Sequence, residues 1–194
     1  MPELPEVETV RRTLAPAVGA KIRAVSQSGK PLRLGRPIPF AAIQKALTGK
    51  RITGVRRHGK YLLVDVEGDA ALIVHLGMSG RFRLVGKGAP IAPHTHLTIR
   101  LDGGRELRFS DPRRFGQIDL ARRGEERAHP SLAVLGRDPL EEGITGEWLH
   151  QQARRRTVSL KSLLLDQSVI AGVGNIYASE ALWRVRIRPT RRAR

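Results

Sequence analysis

The sequence predicts an α+β fold: an amino-terminal helix and an antiparallel β-sandwich, followed by a partial helical domain. Three observations carry that expectation. A short amphipathic pattern opens the chain. Period-two alternation, punctuated by Gly and Pro, then runs between about residues 20 and 120. After about residue 135 the apolar residues switch to helical spacing. The expected division is a domain over 1–135, a linker over 136–146 and a helical part over 147–194.

Residues 5–14 read as a helix. Pro5 suits a first turn, Glu6 and Glu8 suit its positive end, and Val7, Val10 and Leu14 share a face. A second helix is expected over 40–49, with Phe40, Ile43 and Leu47 together. Leu62, Val64 and Val66 alternate with Tyr61, Leu63 and Asp65, and 71–76 forms another apolar strand. Leu97, Ile99 and Leu101 pair with Leu107 and Phe109 across the turn Asp102-Gly103-Gly104. Residues 137–146, rich in Pro, Gly and acidic residues, read as the linker. Beyond it, Trp148, Leu149, Leu160 and Leu163–Leu165 mark helices, and a glycine break at 171–175 precedes a helix through Trp183. The basic run 191–194 reads as the start of another helix.

Composition narrows the function. The 194 residues suit one large domain or two small ones, and 40% hydrophobic with 27% charged residues is ordinary globular chemistry. No run approaches the roughly 18 apolar residues of a membrane span. Glu3, Glu6 and Glu8 exclude a signal peptide, so a cytoplasmic protein is expected. With no cysteine there is neither a disulfide nor a cysteine-ligated zinc site. The net charge of +17 is costly in self-repulsion unless a polyanion neutralises it, and both parts of the chain are basic, as two lobes gripping one nucleic acid would be.

Several residues are candidates for chemistry. Removal of Met1 would leave Pro2 with a free secondary amine, and an α-amino group titrates near ~7.7–8.0, so much of it is nucleophilic at neutral pH. Attack on a sugar C1′ would give an iminium, and Glu3 beside it could move protons. On residue types alone the pair could equally just precede a helix. Lys60 could be a solvated lysine beside Gly59, Met78 and Phe115 could be core, and Arg154, Arg155 and Arg156 a solvated run. His94 and His96 lack a third metal ligand nearby, and no metal is assigned. His75 could meet a phosphate or satisfy a strand hydrogen bond.

The segment 2–12, PELPEVETVRR, resembles the amino terminus of the formamidopyrimidine-DNA glycosylase (Fpg, or MutM) family. The likeness extends in order through Gly59-Lys60-Tyr61-Leu62-Leu63, His75-Leu76-Gly77-Met78-Ser79-Gly80, Asp111-Pro112-Arg113-Arg114-Phe115-Gly116 and Gly172-Val173-Gly174-Asn175-Ile176-Tyr177-Ala178-Ser179-Glu180. PELPE in place of a PEGPE-like start favours the oxidised-purine branch over the endonuclease VIII branch, whose oxidised-pyrimidine chemistry is the rival. Another rival is a non-catalytic DNA-binding fragment.

The resemblance implies base-excision repair by a monomer acting on double-stranded DNA with an oxidised purine or an abasic site, the damaged nucleotide being turned out of the duplex. It implies Pro2 as nucleophile, Glu3 as proton donor and Lys60 as the proton donor for β-elimination. Met78, Arg113 and Phe115 would fill the vacated space, an apolar wedge holding the steps apart and a guanidinium meeting the orphaned cytosine. Arg114, His94, Arg156 and Lys161 would contact DNA, Arg156 standing where the family has a DNA-contacting lysine. Gly172–Asn175 would form the bend of a helix–two-turn–helix element, an anion nest with Asn175 capping the next helix toward a phosphate. Family members continue into a four-cysteine zinc hairpin bearing an arginine for the minor groove. This cysteine-free sequence supplies neither, so no cofactor is expected, and weak zinc-independent cleavage of abasic DNA is expected to exceed base excision.

Overall fold

A computed structural model describes residues 1–32, 37–154 and 156–193. Helix α1 (Leu4–Leu14) buries Leu4, Val7 and Leu14, the face its spacing marks. Among the described residues eight strands follow, interrupted by α2 (Phe40–Leu47): β1 (Ile22–Gln27), β2 (Ile52–His58), β3 (Tyr61–Val66), β4 (Ala70–His75), β5 (Arg81–Val85), β6 (Thr95–Leu101), β7 (Glu106–Ser110) and β8 (Gln117–Arg122). They form two four-stranded antiparallel sheets, ordered β1-β6-β7-β5 and β2-β3-β4-β8. The helical part comprises α4 (Gly146–Arg154), α5 (Leu160–Leu165) and α6 (Asn175–Arg184), after a single turn, α3 (Pro130–Ala133). Among the described residues no helix is long and apolar enough to cross a membrane.

The sheets enclose one core that includes Ile22, Ile52, Leu62, Leu72, Phe82, Leu97 and Phe109, closed by Val7 and Leu14 of α1 and by Ile43 and Leu47 of α2. Strand β3 is buried on both faces, which explains its nearly continuous apolar run. Leu62, Val64 and Val66 face the main core, while Leu63 joins Ile73 and Leu132 in a small cluster beneath α3. A third cluster holds the helical part together through Leu163, Val169, Ile170 and Ala193.

The segment expected as a linker is pinned at both sides. Arg137 bridges to Ile170, and the fully buried Asp138 forms an ion pair with Arg57 of β2. Oδ2 of Asp138 also accepts the Gly59 N–H at 2.7 Å. One carboxylate among the Pro, Gly and acidic residues of 137–146 does not announce such an anchor. The last described residues are not helical, contrary to expectation. Arg192 bridges to Ser159 and the Ala193 N–H donates to Val158, so the chain doubles back and buries Ala193 against α5.

Candidate active site

Three segments meet at the amino terminus. Glu6 accepts the Glu3 N–H at 2.8 Å and fixes the first turn of α1. The Leu4 N–H donates to the Gly172 carbonyl at 3.0 Å, tying that turn to the loop before α6. The Glu3 carboxylate, only 2% exposed, accepts the N–H groups of Gly174 (3.0 Å), Ile176 (2.8 Å) and Tyr177 (3.2 Å). It therefore takes up the free donors and positive end of α6, where an anion is most favourable.

This overturns one expectation. Gly174 is the N-cap of α6, and Asn175 lies exposed in its first turn without capping it. Glu3 already holds three of the amides at this helix start, those of Gly174, Ile176 and Tyr177, while the Asn175 side chain stays exposed. Close approach explains the glycines: a Cβ at Gly174 would lie 2.3 Å from the Glu3 Cδ, and one at Gly172, where φ is +96°, would lie 2.6 Å from Leu4 Cδ1.

Two hollows flank the terminus. One, of about 510 Å³, is lined by Met1, Lys60, Tyr61, His75, Gln167 and Gly174 among others. The second, of about 660 Å³, is lined by Pro2, Met78, Ser79, His94 and Pro112 among others. Lys60 is 9% exposed; burial lowers its pKa below the usual lysine range, and the Glu3 charge partly offsets this. Burial, aided by the Lys60 charge, pushes His75 down to about 4. Its ring sits 4.6 Å from that of Tyr61, and Nδ1 accepts the Gly77 N–H at 3.1 Å. Of the two roles weighed for His75, the structure supplies the internal hydrogen bond at Nδ1, which leaves Nε2 as the ring's N–H donor.

Asp111 ties together the loops that border the second hollow. This fully buried carboxylate accepts Ser79 Oγ (2.5 Å), Arg113 N (3.2 Å) and Gly116 N (2.7 Å), knotting the 77–80 and 111–116 loops together. A Cβ at Gly77 would fall 2.5 Å from the Phe115 carbonyl carbon, so only glycine allows this crossing. Met78 is 43% exposed, and the Arg113 guanidinium lies 4.8 Å from the Phe115 ring centroid. Thus Met78, Arg113 and Phe115 stand on adjoining loops and not in the core.

His94 and Arg114 both occupy left-handed backbone, at φ 61° and 59°. Such conformations cost of order 1–3 kcal/mol for non-glycine residues and cluster at functional sites. His94 is exposed, whereas His96 turns inward to Ser28 and the Asp111 carbonyl, so these histidines do not converge on a metal. Arg114 Nη1 donates to the Pro31 carbonyl at 3.4 Å. Arg156 and Lys161 are half-buried in the helical part, Arg156 Nη2 lying 3.9 Å from Asp166. Arg154 is exposed, and Arg155 lies outside the described residues. The sequence reading names Asp111 only within the family motif and gives Gln167 no role; what each does depends on loops that only folding brings together.

Comparison with known proteins agrees with this arrangement. The profile of the formamidopyrimidine-DNA glycosylase N-terminal domain matches residues 1–118, and that of the family's H2TH domain, the helix–two-turn–helix element, matches residues 135–194. A formamidopyrimidine-DNA glycosylase from Methylococcus capsulatus is 48% identical over 193 residues, covering 100% of this chain and 70% of the relative. The chain belongs to the formamidopyrimidine-DNA glycosylase family. Among solved structures, Lactococcus lactis Fpg (MutM) in complex with DNA containing N7-benzyl-Fapy-dG has a TM-score of 0.86 and 37% identity, with 99% of this chain and 70% of that one covered. The same enzyme's complex with abasic-site DNA gives 0.85 and 36%, covering 98% and 69%.

The family's four-cysteine zinc site finds no ligands in these 194 residues. Among the described residues the one cluster with metal-ligand spacing is His58, Asp138 and Glu141, and it does not fit a cation. The Arg57 guanidinium already occupies Asp138 and reaches Glu141 at 3.7 Å, placing a fixed positive charge where the ion would sit.

Proposed function

We propose that this formamidopyrimidine-DNA glycosylase relative excises oxidised purines, 8-oxoguanine and formamidopyrimidines, from double-stranded DNA and cleaves the resulting abasic site. The observation that supports this most is the junction itself: Pro2 lining one hollow and Met1 the other, Glu3 fixed on the α6 amides and Lys60 buried in the Met1 hollow. Met1 removal frees the Pro2 nitrogen, whose lone pair attacks C1′ of the extruded nucleotide. The glycosidic bond breaks, and the base leaves with its electron pair and gains a proton. Glu3 takes the proton that the Pro2 nitrogen sheds and passes it to the sugar ring oxygen as the ring opens and the iminium forms. Water then takes the C2′ proton, the C3′–O electron pair leaves with the 3′ phosphate, and Lys60 furnishes the proton that the leaving oxygen accepts. Burial suits Lys60 to the task, because a depressed pKa makes its ammonium a readier donor near neutral pH. Water finally hydrolyses the imine and releases Pro2.

Met78 and Phe115 serve as the wedge, and Arg113 as partner of the orphaned cytosine. Arg114, His94, Asn175, Arg156 and Lys161 grip the backbone. The reading places a monomer in the bacterial cytoplasm and needs no zinc from these residues. Nicking of 8-oxoguanine, oxidised-pyrimidine and abasic duplexes, with and without a chelator, tests it. The expected order is abasic cleavage first, 8-oxoguanine above oxidised pyrimidine, and no effect of chelation. Binding without cleavage of any duplex would favour a non-catalytic DNA-binding role. Preference for the pyrimidine lesion would favour the endonuclease VIII-like alternative.

A further inference from the structure

We infer that Gln167 is a positioning residue for Glu3: its carboxamide sets the loop whose backbone holds the Glu3 carboxylate. The inference rests on the role proposed for Glu3 in excision. Gln167 follows α5 and uses both ends of its side chain on the loop that leads into α6. Nε2 donates to the Leu165 carbonyl (3.0 Å) and to the Val173 carbonyl (2.7 Å), while Oε1 accepts the Gly172 N–H (2.9 Å). Together these bonds span the end of one helix and two successive residues of the connection. That connection has two obligations toward the amino terminus. The Gly172 carbonyl accepts the Leu4 N–H, and Gly174 presents its N–H to Glu3.

Gly172 and Gly174 carry no side chains to brace this stretch, and each lacks room for one because Leu4 and Glu3 pack directly on it. A loop held this way has low intrinsic stiffness, so its position depends on the groups that bond its backbone. Besides Glu3 itself, Gln167 does so, and its own backbone carbonyl is anchored by the Gly136 N–H at 2.8 Å. Removing the carboxamide leaves three backbone groups seeking partners, and the nearest remedy is a shift of residues 172–174. Such a shift moves the Gly174 donor and the first turn of α6 relative to Glu3. A displacement of about 1 Å at a catalytic group costs up to ~10²-fold in rate. Gln167 also lines the hollow shared with Lys60 and not the one lined by Pro2 and Met78, so DNA grip by the second hollow is spared.

The test compares the parent with Gln167→Leu and Gln167→Glu. The readings are backbone amide exchange, single-turnover excision from an 8-oxoguanine duplex at saturating protein, and affinity for the same duplex. Gln167→Leu is expected to speed exchange at Ile176 and Tyr177 about tenfold and to slow excision about tenfold, with affinity within twofold of the parent. Gln167→Glu keeps an acceptor for Gly172 and regains a donor only when protonated. Its deficit is expected to shrink as pH falls from about 8 toward about 5.5, approaching the carboxyl range. Ser159→Ala, which removes the N-cap of α5 without touching the loop, is the control for general loosening and is expected to leave the Ile176 and Tyr177 amides unchanged. Exchange at those amides equal to the parent's in both Gln167 variants would overturn the inference, whatever the activity. Rate losses matched by affinity losses, or reproduced by Ser159→Ala, would overturn it as well. A parent that binds but does not excise would count against the proposed function, and the exchange data would still decide the role of Gln167.

Discussion

Glu3 should stabilise the fold as well as serve the chemistry, and Glu3→Gln separates the two. In the parent, Oε2 accepts from Gly174 and Tyr177, and Oε1 from Ile176. A carboxamide retains one oxygen, so two bonds survive as neutral ones, each weaker by about 1 kcal/mol. Its NH₂ then faces the Ile176 N–H, leaving that donor unpaired at about 1–2 kcal/mol. Loss of the negative charge at the start of α6 adds about 0.5–1 kcal/mol. The lower cost of burying an amide instead of a carboxylate offsets part of this. The net expectation is a destabilisation of about 2 kcal/mol, or about 4–8 °C in Tm for a chain of this size. Thermal and urea unfolding of the purified variant, without DNA, measure it. A Tm within about 1 °C of the parent would refute the claim that the carboxylate secures α6 to the amino terminus.

Other consequences follow from the same geometry. Arg57→Met leaves the Asp138 carboxylate buried and uncompensated, and should cost about 3–5 kcal/mol in chemical denaturation, with Arg57→Met/Asp138→Leu recovering part of it; a loss below about 1 kcal/mol would show the pair to be incidental. His75 titrates near 4 in the fold against 6.5 when unfolded, so the unfolded chain takes up the proton first as pH drops. Its contribution is fully present above pH 6.5 and is lost as pH falls toward about 4, up to about 3 kcal/mol; His75→Gln should flatten the stability–pH curve in that window, and an unchanged curve would count against a buried neutral ring. Arg114→Ala should weaken binding to every duplex alike and reduce the log–log salt slope by about 0.9, whereas Arg113→Ala should hurt most opposite cytosine. Equal losses opposite all four bases would remove Arg113 from the orphan-base role.

What could be read in advance follows physical range. Helix α1 and the β6–β7 hairpin declare themselves locally, through Pro5 with a Val7–Leu14 stripe and through Asp102-Gly103-Gly104 between alternating runs. Strand β3 was legible as a strand, but the burial of Leu63 depends on Leu132, far along the chain. The same distance hid Asp138, whose acidic neighbourhood reads as a solvated linker until Arg57 is brought beneath it. Asn175 looked like a cap because its residue type suits one; Glu3, more than 170 positions away, takes the amides instead. The motif residues 78, 113 and 115 are assigned by likeness, and Asp111 with the Gly77–Phe115 crossing explains why their loops adjoin.

The most direct measurement is borohydride trapping on an abasic duplex, followed by intact mass and peptide mapping of the adduct. The account predicts a chain lacking Met1, with the sugar remnant on the Pro2 nitrogen. It also predicts weaker trapping by Pro2→Gly and none when one residue is added before Pro2. An adduct mapped to Lys60 or another internal lysine, or undiminished trapping by the extended chain, would contradict it.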